Sequence, residues 1–454
     1  MTEEIRLRVY DEISDRSSQR VSAVYPLECA RSIAGDFDSS SKGRGYPVSA
    51  LLDMDRLRAF FEMAENQMPR VLARERLDPG TVDLACGLTD VSGFVWLFCL
   101  PHGSLVMVLT LETEGDLGDV IGVTEDLHHR DVKISGEPLW NGCRKVLDSV
   151  RDDFAEHALG LDTYQLVMPR KRDQDILTGA PQQPAAYSEI ASIVYRYRRL
   201  YAERSSRVCF PEETNRGEGV AATGPYVGVL SGAQGYIENA ALVSAVQFVG
   251  ALNLLRRIRI EADGELNRMR KIVTNSTSNL SVQRAVLGEM EERLGRLEIE
   301  LSVGVEAPEK SGSLMPSLRA LDFHQALFAS GDVAGEAKAV SQVLARLANA
   351  IGSGGSALGA LENAKAERRR SVTTLAVTVL TLIAIPAGLL FGFFGMTATE
   401  VSSDRSFLDF AHYLGFYVAL LAILTIAISI AAVSAIAFVL RDSRNRDQLE
   451  DIMK

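Results

Sequence analysis

Over the first 235 residues the apolar positions fall in short runs. Ile5, Leu7 and Val9 alternate with polar residues and predict a strand. Phe94–Leu100 and Leu105–Glu112 are two apolar runs joined by a Pro-His-Gly-Ser turn, which predicts a hairpin of buried strands. Tyr164–Met168 and Tyr226–Leu230 predict further strands. Leu57, Phe60, Phe61, Ala64 and Met68 recur at helical spacing and predict a helix over Asp53–Arg74. Thr178–Pro184 and Pro211–Gly219 read as loops. Residues 1–235 therefore read as a mixed α/β domain, a sheet with helices.

After Gly235 the strand pattern stops. Tyr236–Ile260 predicts a helix ending in Arg256, Arg257 and Arg259. Leu287, Met290, Leu294, Leu297 and Leu301 repeat at steps of three and four, a coiled-coil-like seam, and Val340, Leu344, Leu347 and Ile351 form a second one. Residues 236–370 fit either a helical bundle or a long-helix stalk. Gly352-Ser353-Gly354-Gly355 is expected to break any continuous helix, since each glycine costs about 1 kcal/mol relative to alanine.

The pattern changes once more near the end. Residues 371–394 and 413–440 carry no charge, and each run exceeds the roughly 18 apolar residues that mark a membrane-spanning helix. Lys365, Arg368, Arg369 and Arg370 precede the first run; Arg441, Arg444 and Arg446 follow the second. The connecting segment, 395–412, has Arg405 against Glu400, Asp404 and Asp409. Basic flanks stay inside, so both termini and the tail 441–454 are expected in the cytoplasm and the acidic loop outside. That is a two-span protein of a plasma (bacterial inner) membrane.

Composition agrees with that division. The 454 residues have a mean hydropathy of only +0.06 and a net charge of −11, of which −9 falls before Ser371. An acidic chain lacks the basic surface that nucleic acid requires. Five cysteines, at 29, 86, 99, 143 and 209, form neither a disulfide framework nor a C-x-x-C pair. The first residues, MTEEIRLRVYDE, have no apolar core, so no secretory signal is expected. The glycine-rich stretch 224–235 lacks a P-loop Lys-Ser/Thr, and G-x-S-x-G and H-E-x-x-H do not occur. No enzyme and no catalytic cofactor is expected.

The first apolar run has one unusual face. Thr374, Thr378, Thr381, Ile385, Gly388, Gly392 and Gly395 lie at alternating steps of four and three, and all but Ile385 are Thr or Gly. Such a stripe serves close helix packing or lines a water-filled conduit with hydroxyls and exposed carbonyls. In a conduit Ile385 is an apolar constriction. Extended backward, the stripe reaches Ser371 and Glu367, an inner mouth beside Arg368, Arg369 and Arg370. One hairpin cannot enclose a pore, so a conduit requires a cyclic homo-oligomer.

Pro386 to Thr397 reads P-A-G-L-L-F-G-F-F-G-M-T. This resembles the CorA family of divalent-cation channels, whose first span carries a proline and, nine residues on, a Gly-Met-Asn signature. The motif-level resemblance covers about the last 85 residues; the rest is similar only in architecture. It implies a homopentameric, funnel-shaped Mg²⁺ channel, with the cation as cargo and as a possible regulator. Gly395 and Met396 match the signature's first two positions, Ile385 a bulky pore constriction, and Gly388 and Gly392 positions that expose backbone. The third signature position is Thr397 rather than Asn. Its hydroxyl is shorter and lacks the amide's separate donor and acceptor, so the expectation is either relaxed choice, with Zn²⁺, Co²⁺, Ni²⁺ or a monovalent ion beside Mg²⁺, or loss of transport. The same departure leaves room for a second reading: a membrane effector in signalling or defence, gated by a cytoplasmic ligand or partner.

Overall fold

The computed structural model describes residues 19–29, 46–47, 68–148, 157–169, 184–196, 208–215, 220–232, 235–274, 280–315, 317–395 and scattered positions between 411 and 429. By packing, the chain divides into two units. One comprises residues 1–278 with 285–352; the other comprises 279–284 with 353–454. This break falls after Gly352; the sequence reading divides the chain at 235 and at 370.

The first unit is built on a sheet of nine described strands. In chain order they include β1 (Gln19–Cys29), β2 (Tyr46–Pro47), β3 (Arg70–Leu77), β5 (Ser92–Cys99), β6 (Leu105–Thr113), β9 (His157–Leu159), β10 (Tyr164–Pro169), β11 (Val220–Thr223) and β12 (Val227–Ser231). Their spatial order is β11-β12-β10-β1-β6-β5-β3-β2, with β9 pairing the end of β1. Among these pairs only β10 with β12 is parallel. A small separate sheet, β4-β7-β8, is formed by Val82–Leu84, Val132–Ile134 and Glu137–Pro138.

The expected hairpin is β5 and β6, paired from Ser92 with Glu112 to Cys99 with Leu105. Its turn closes through Gly103, whose N–H donates to the Leu100 carbonyl at 2.8 Å with φ at +89°. Both strands are apolar on both faces because both faces are covered. One face joins Val21, Ala23, Tyr25, Val95, Leu97, Met107 and Leu109 to the helices α1 (Leu117–His129), α2 (Leu139–Asp148) and α3 (Pro184–Tyr195). The other receives α4 (Gly235–Thr274), which packs on β1, β6 and β10. The strands expected over Tyr164–Met168 and Tyr226–Leu230 are β10 and β12.

Local chemistry fixes these pieces. Asp116 caps α1 by accepting from the Asp119 N–H, and the Asp119 carboxylate accepts from the Asp116 N–H. The Tyr25 hydroxyl donates to the Leu127 carbonyl at 2.7 Å, tying β1 to α1. Trp140 of α2 donates its indole N–H to the His157 carbonyl at 2.9 Å. Tyr164, Phe248 and Phe328 meet edge to face in sequence, linking β10 to α4 and α4 to α7 (Leu318–Ser330).

Three expectations change. The helix predicted over Asp53–Arg74 does not reach its end: Arg70–Leu77 is strand β3, and residues 53–67 lie outside the described ones. Val71, Ala73 and Leu77 face inward, with a bulge between Val71 and Ala73. Arg74 lies over the rings of Phe94 and Trp96, at 4.1 and 4.6 Å, so its charge rests on an aromatic ladder of β5. The helix predicted to end at Ile260 runs on to Thr274. Its polar half is held by ion pairs to α5 (Leu280–Leu301), such as Arg257–Glu300 and Glu265–Arg293, at 2.7 and 2.8 Å. The glycine cluster 352–355 does not break α8, which spans Val333–Gly395. The strand expected at Ile5–Val9 lies outside the described residues.

Both helical seams are buried: Leu287, Met290, Leu294, Leu297 and Leu301 on α5, and Val340, Leu344, Leu347 and Ile351 on α8. Between α5 and α7 the chain makes a π turn (Ser302–Glu306), a short α6 (Ala307–Lys310) and a 3-10 turn (Ser311–Leu314).

Candidate functional site

The expected pore-lining residues lie on α8. Its 63 residues correspond to roughly 95 Å of helix. Beyond Gly352 its described side chains are exposed or half-buried. Ser371 is half-buried; Thr374, Thr378, Thr381, Ile385, Gly388 and Gly392 are exposed, Ile385 at 58%. A Cβ added at Gly388 or Gly392 would meet nothing within 4 Å. Gly395 is the last residue of the helix.

The stripe has a heptad geometry. Thr374, Thr381, Gly388 and Gly395 repeat every seven residues, and Thr378, Ile385 and Gly392 fall between them. On a straight helix such a stripe drifts by about 20° per heptad, so copies facing one another along it would wind left-handed. From Thr374 to Gly395 it runs about 31 Å, close to a hydrocarbon thickness of about 30 Å.

The threonines have a defined polarity. Thr378 and Thr381 donate their hydroxyl protons to the carbonyls of Thr374 and Val377, each at 2.8 Å; Thr373 does the same to Arg369. Back-bonding of this kind satisfies the hydroxyl within its own helix. The oxygen lone pairs are what remain to face outward. A face of acceptors suits the hydrogens of a hydrated cation.

Glu367, Arg368, Arg369 and Arg370 are exposed on α8. Arg284 and Glu362, in the same unit, pair at 3.0 Å. Met396, Thr397, Glu400 and Asp404 lie outside the described residues. Described positions from 414 to 429 are helical, and there Thr425 and Ser429 donate to Leu421 and Thr425 at 2.6 and 2.7 Å. The hairpin of two apolar helices expected over 371–394 and 413–440 is not shown by the described residues.

Among the described residues, one segment, Ile237–Lys271 of α4, was found long and apolar enough to cross a membrane. Of its apolar window 89% is buried, between the sheet and α7, so it is read as the core helix of the first unit. The described residues bring together no group of three His, Cys, Asp or Glu side chains suited to a metal.

Sequence reasoning passed over two histidines whose ring nitrogens are buried. His324 on α7 places Nδ1 3.1 Å from Ser244 Oγ of α4 and Nε2 3.1 Å from the Pro308 carbonyl. A carbonyl only accepts, so Nε2 carries the proton. Burial pushes this imidazole down to about 4. The second is His102, in the turn that the sequence marked only as Pro-His-Gly-Ser. A histidine flanked by apolar runs was the available signal for it.

Comparison with models of known protein families, with curated proteins and with solved structures gives no match for this chain.

Proposed function

We propose that the chain is one subunit of a CorA-like homo-oligomeric channel that conducts divalent cations, Mg²⁺ first, across a plasma membrane. The observation that carries this reading is the heptad-spaced Thr/Gly stripe on α8. It gives one narrow helix face over a bilayer's thickness, with hydroxyl acceptors at the Thr374–Thr381 end and small residues beyond Ile385. In this reading five copies turn their stripes to a common axis and residues 371–394 line the pore. Ile385 narrows it, and Glu367 with Arg368–Arg370 forms the inner mouth. Residues 413–440 form the outer ring of helices, the loop with Glu400 and Asp404 faces outside, and both termini are cytoplasmic. Met396 and Thr397 meet the ion at the outer mouth. Mg²⁺ keeps most of its water, so the lining handles a hydrated ion.

The test is flux. In liposomes holding a Mg²⁺-sensitive dye, the wild type is expected to admit Mg²⁺. Ile385→Gly is expected to raise resting flux several-fold. Assembled protein that passes no divalent ion would overturn the proposal, and an Ile385→Gly variant with unchanged conductance would indicate an anchored scaffold.

Thr397 in place of Asn favours a second reading, an effector opened by a cytoplasmic ligand or partner. It predicts conductance that stays closed until the ligand is added and that discriminates poorly among cations.

A further inference from the structure

Helix α5 does not pass smoothly into α6. The π turn over Ser302–Glu306 is closed by the Ala307 N–H donating to the Ser302 carbonyl. A π turn carries one extra residue within a helical run and recurs at functional positions. Here Gly304 lies against the β5–β6 turn. A Cβ on Gly304 would come within 2.9 Å of His102 Nδ1, and nearer still to Leu254 of α4. The imidazole thus rests on bare backbone.

His102 as a residue is half-buried, but both its ring nitrogens are shut off from solvent and neither has a hydrogen-bond partner. A neutral imidazole always carries one N–H, so a phenylalanine of similar shape would sit there without an unpartnered polar group. His324 makes the contrast: it grips Pro308, farther along the same connector, with both nitrogens engaged. The charged group facing His102 is Arg257 of α4, which pairs with Glu300 of α5 at 2.7 Å and Glu261 of its own helix at 3.9 Å. Gly304 of the π turn and Leu254 of α4 bring no charge, and the turn's own Pro101, Gly103 and Ser104 do not titrate.

We propose that His102 seated on Gly304 is a proton-operated latch between the β5–β6 turn and the π turn. The neutral ring fits the site. An imidazolium would be stripped of water and would face Arg257. It therefore leaves for solvent, and residues 302–312 lose their contact with the sheet's hairpin. Burial first, and Arg257 second, hold the seated ring down to about 4. The free ring's ordinary value is about 6.5. Opening is therefore rare above pH 6.5 and grows below it, by up to about tenfold per pH unit, levelling off near 4.

Hydrogen exchange on the full chain tests this. Exchange of amides 302–312, corrected for its intrinsic pH dependence, is expected to quicken roughly 40-fold between pH 6.5 and 4.5. In His102→Phe it should stay level over that range, with β6 protected as in the wild type. Gly304→Ala, whose methyl would displace the ring, should exchange fast already at pH 7. A level wild-type profile, a wild-type-like rise in His102→Phe, or a slow Gly304→Ala at pH 7 would each overturn the latch.

Discussion

His324 shows what one buried side chain contributes. Its folded value, about 4, lies below the ordinary 6.5. The stabilisation it allows is therefore complete above pH 6.5 and is lost as pH falls from there through 4. The slope is about 1.4 kcal/mol per pH unit for one such group. The urea midpoint of the packed α/β unit is expected to drop between pH 7 and pH 5, and His324→Gln is expected to make that drop shallower. Gln can still donate to the Pro308 carbonyl, so its cost at pH 7 should stay near 1–2 kcal/mol. An unchanged slope in the variant would remove His324 from the acid response. Nothing in the sequence around it, Leu-Asp-Phe-His-Gln, separates this histidine from a surface one. Its partners, Ser244 and Pro308, lie 80 and 16 residues away.

At the scale of elements, α8 is the instructive case. Gly352, Gly355 and Gly359 sit in its interior, and a Cβ at any of them would meet nothing within 4 Å. No close approach requires glycine there. Replacing each by alanine is expected to stabilise the helix by about 1 kcal/mol, seen as slower amide exchange over 350–362. Propensity predicted a break here, but a long helix loses several hydrogen bonds if it breaks and one increment per glycine if it does not. The hairpin β5–β6 was legible because two apolar runs flank a short turn. Strand β1 was not, because Gln19, Arg20 and Ser22 are buried in it. Arg20 pairs with Glu238 at 3.4 Å and Ser22 with Thr110 at 3.0 Å, partners that local pattern cannot reveal. Strand β3 was misread because three arginines and a glutamate hide the alternation of Val71 and Ala73. The stripe on α8 was fully legible, since helix spacing alone defines it. The direction of its hydroxyl protons was not, because that depends on side-chain rotation.

For the whole molecule, the two packing units suggest where to cut. The apolar helix α4 is enclosed by the sheet and α7. A chain ending at Gly352 should therefore fold cooperatively and stay in the soluble fraction, with an α/β far-ultraviolet spectrum. The full chain, with residues 371–394 and 413–440 restored, is expected in the membrane fraction. If the shorter chain also required detergent, α4 rather than the terminal runs would be the membrane-seeking element.

The aromatic ladder has a practical consequence. The chain has two tryptophans, Trp96 beneath Arg74 and Trp140 bonded to His157, and both belong to the first unit. Intrinsic fluorescence excited near the red edge of protein absorption therefore reports on that unit alone. Trp96 is buried next to a guanidinium and Trp140 is partly buried, so their emission should differ in colour and in quenching by iodide. The α/β unit carries its own optical label, readable without attaching a dye.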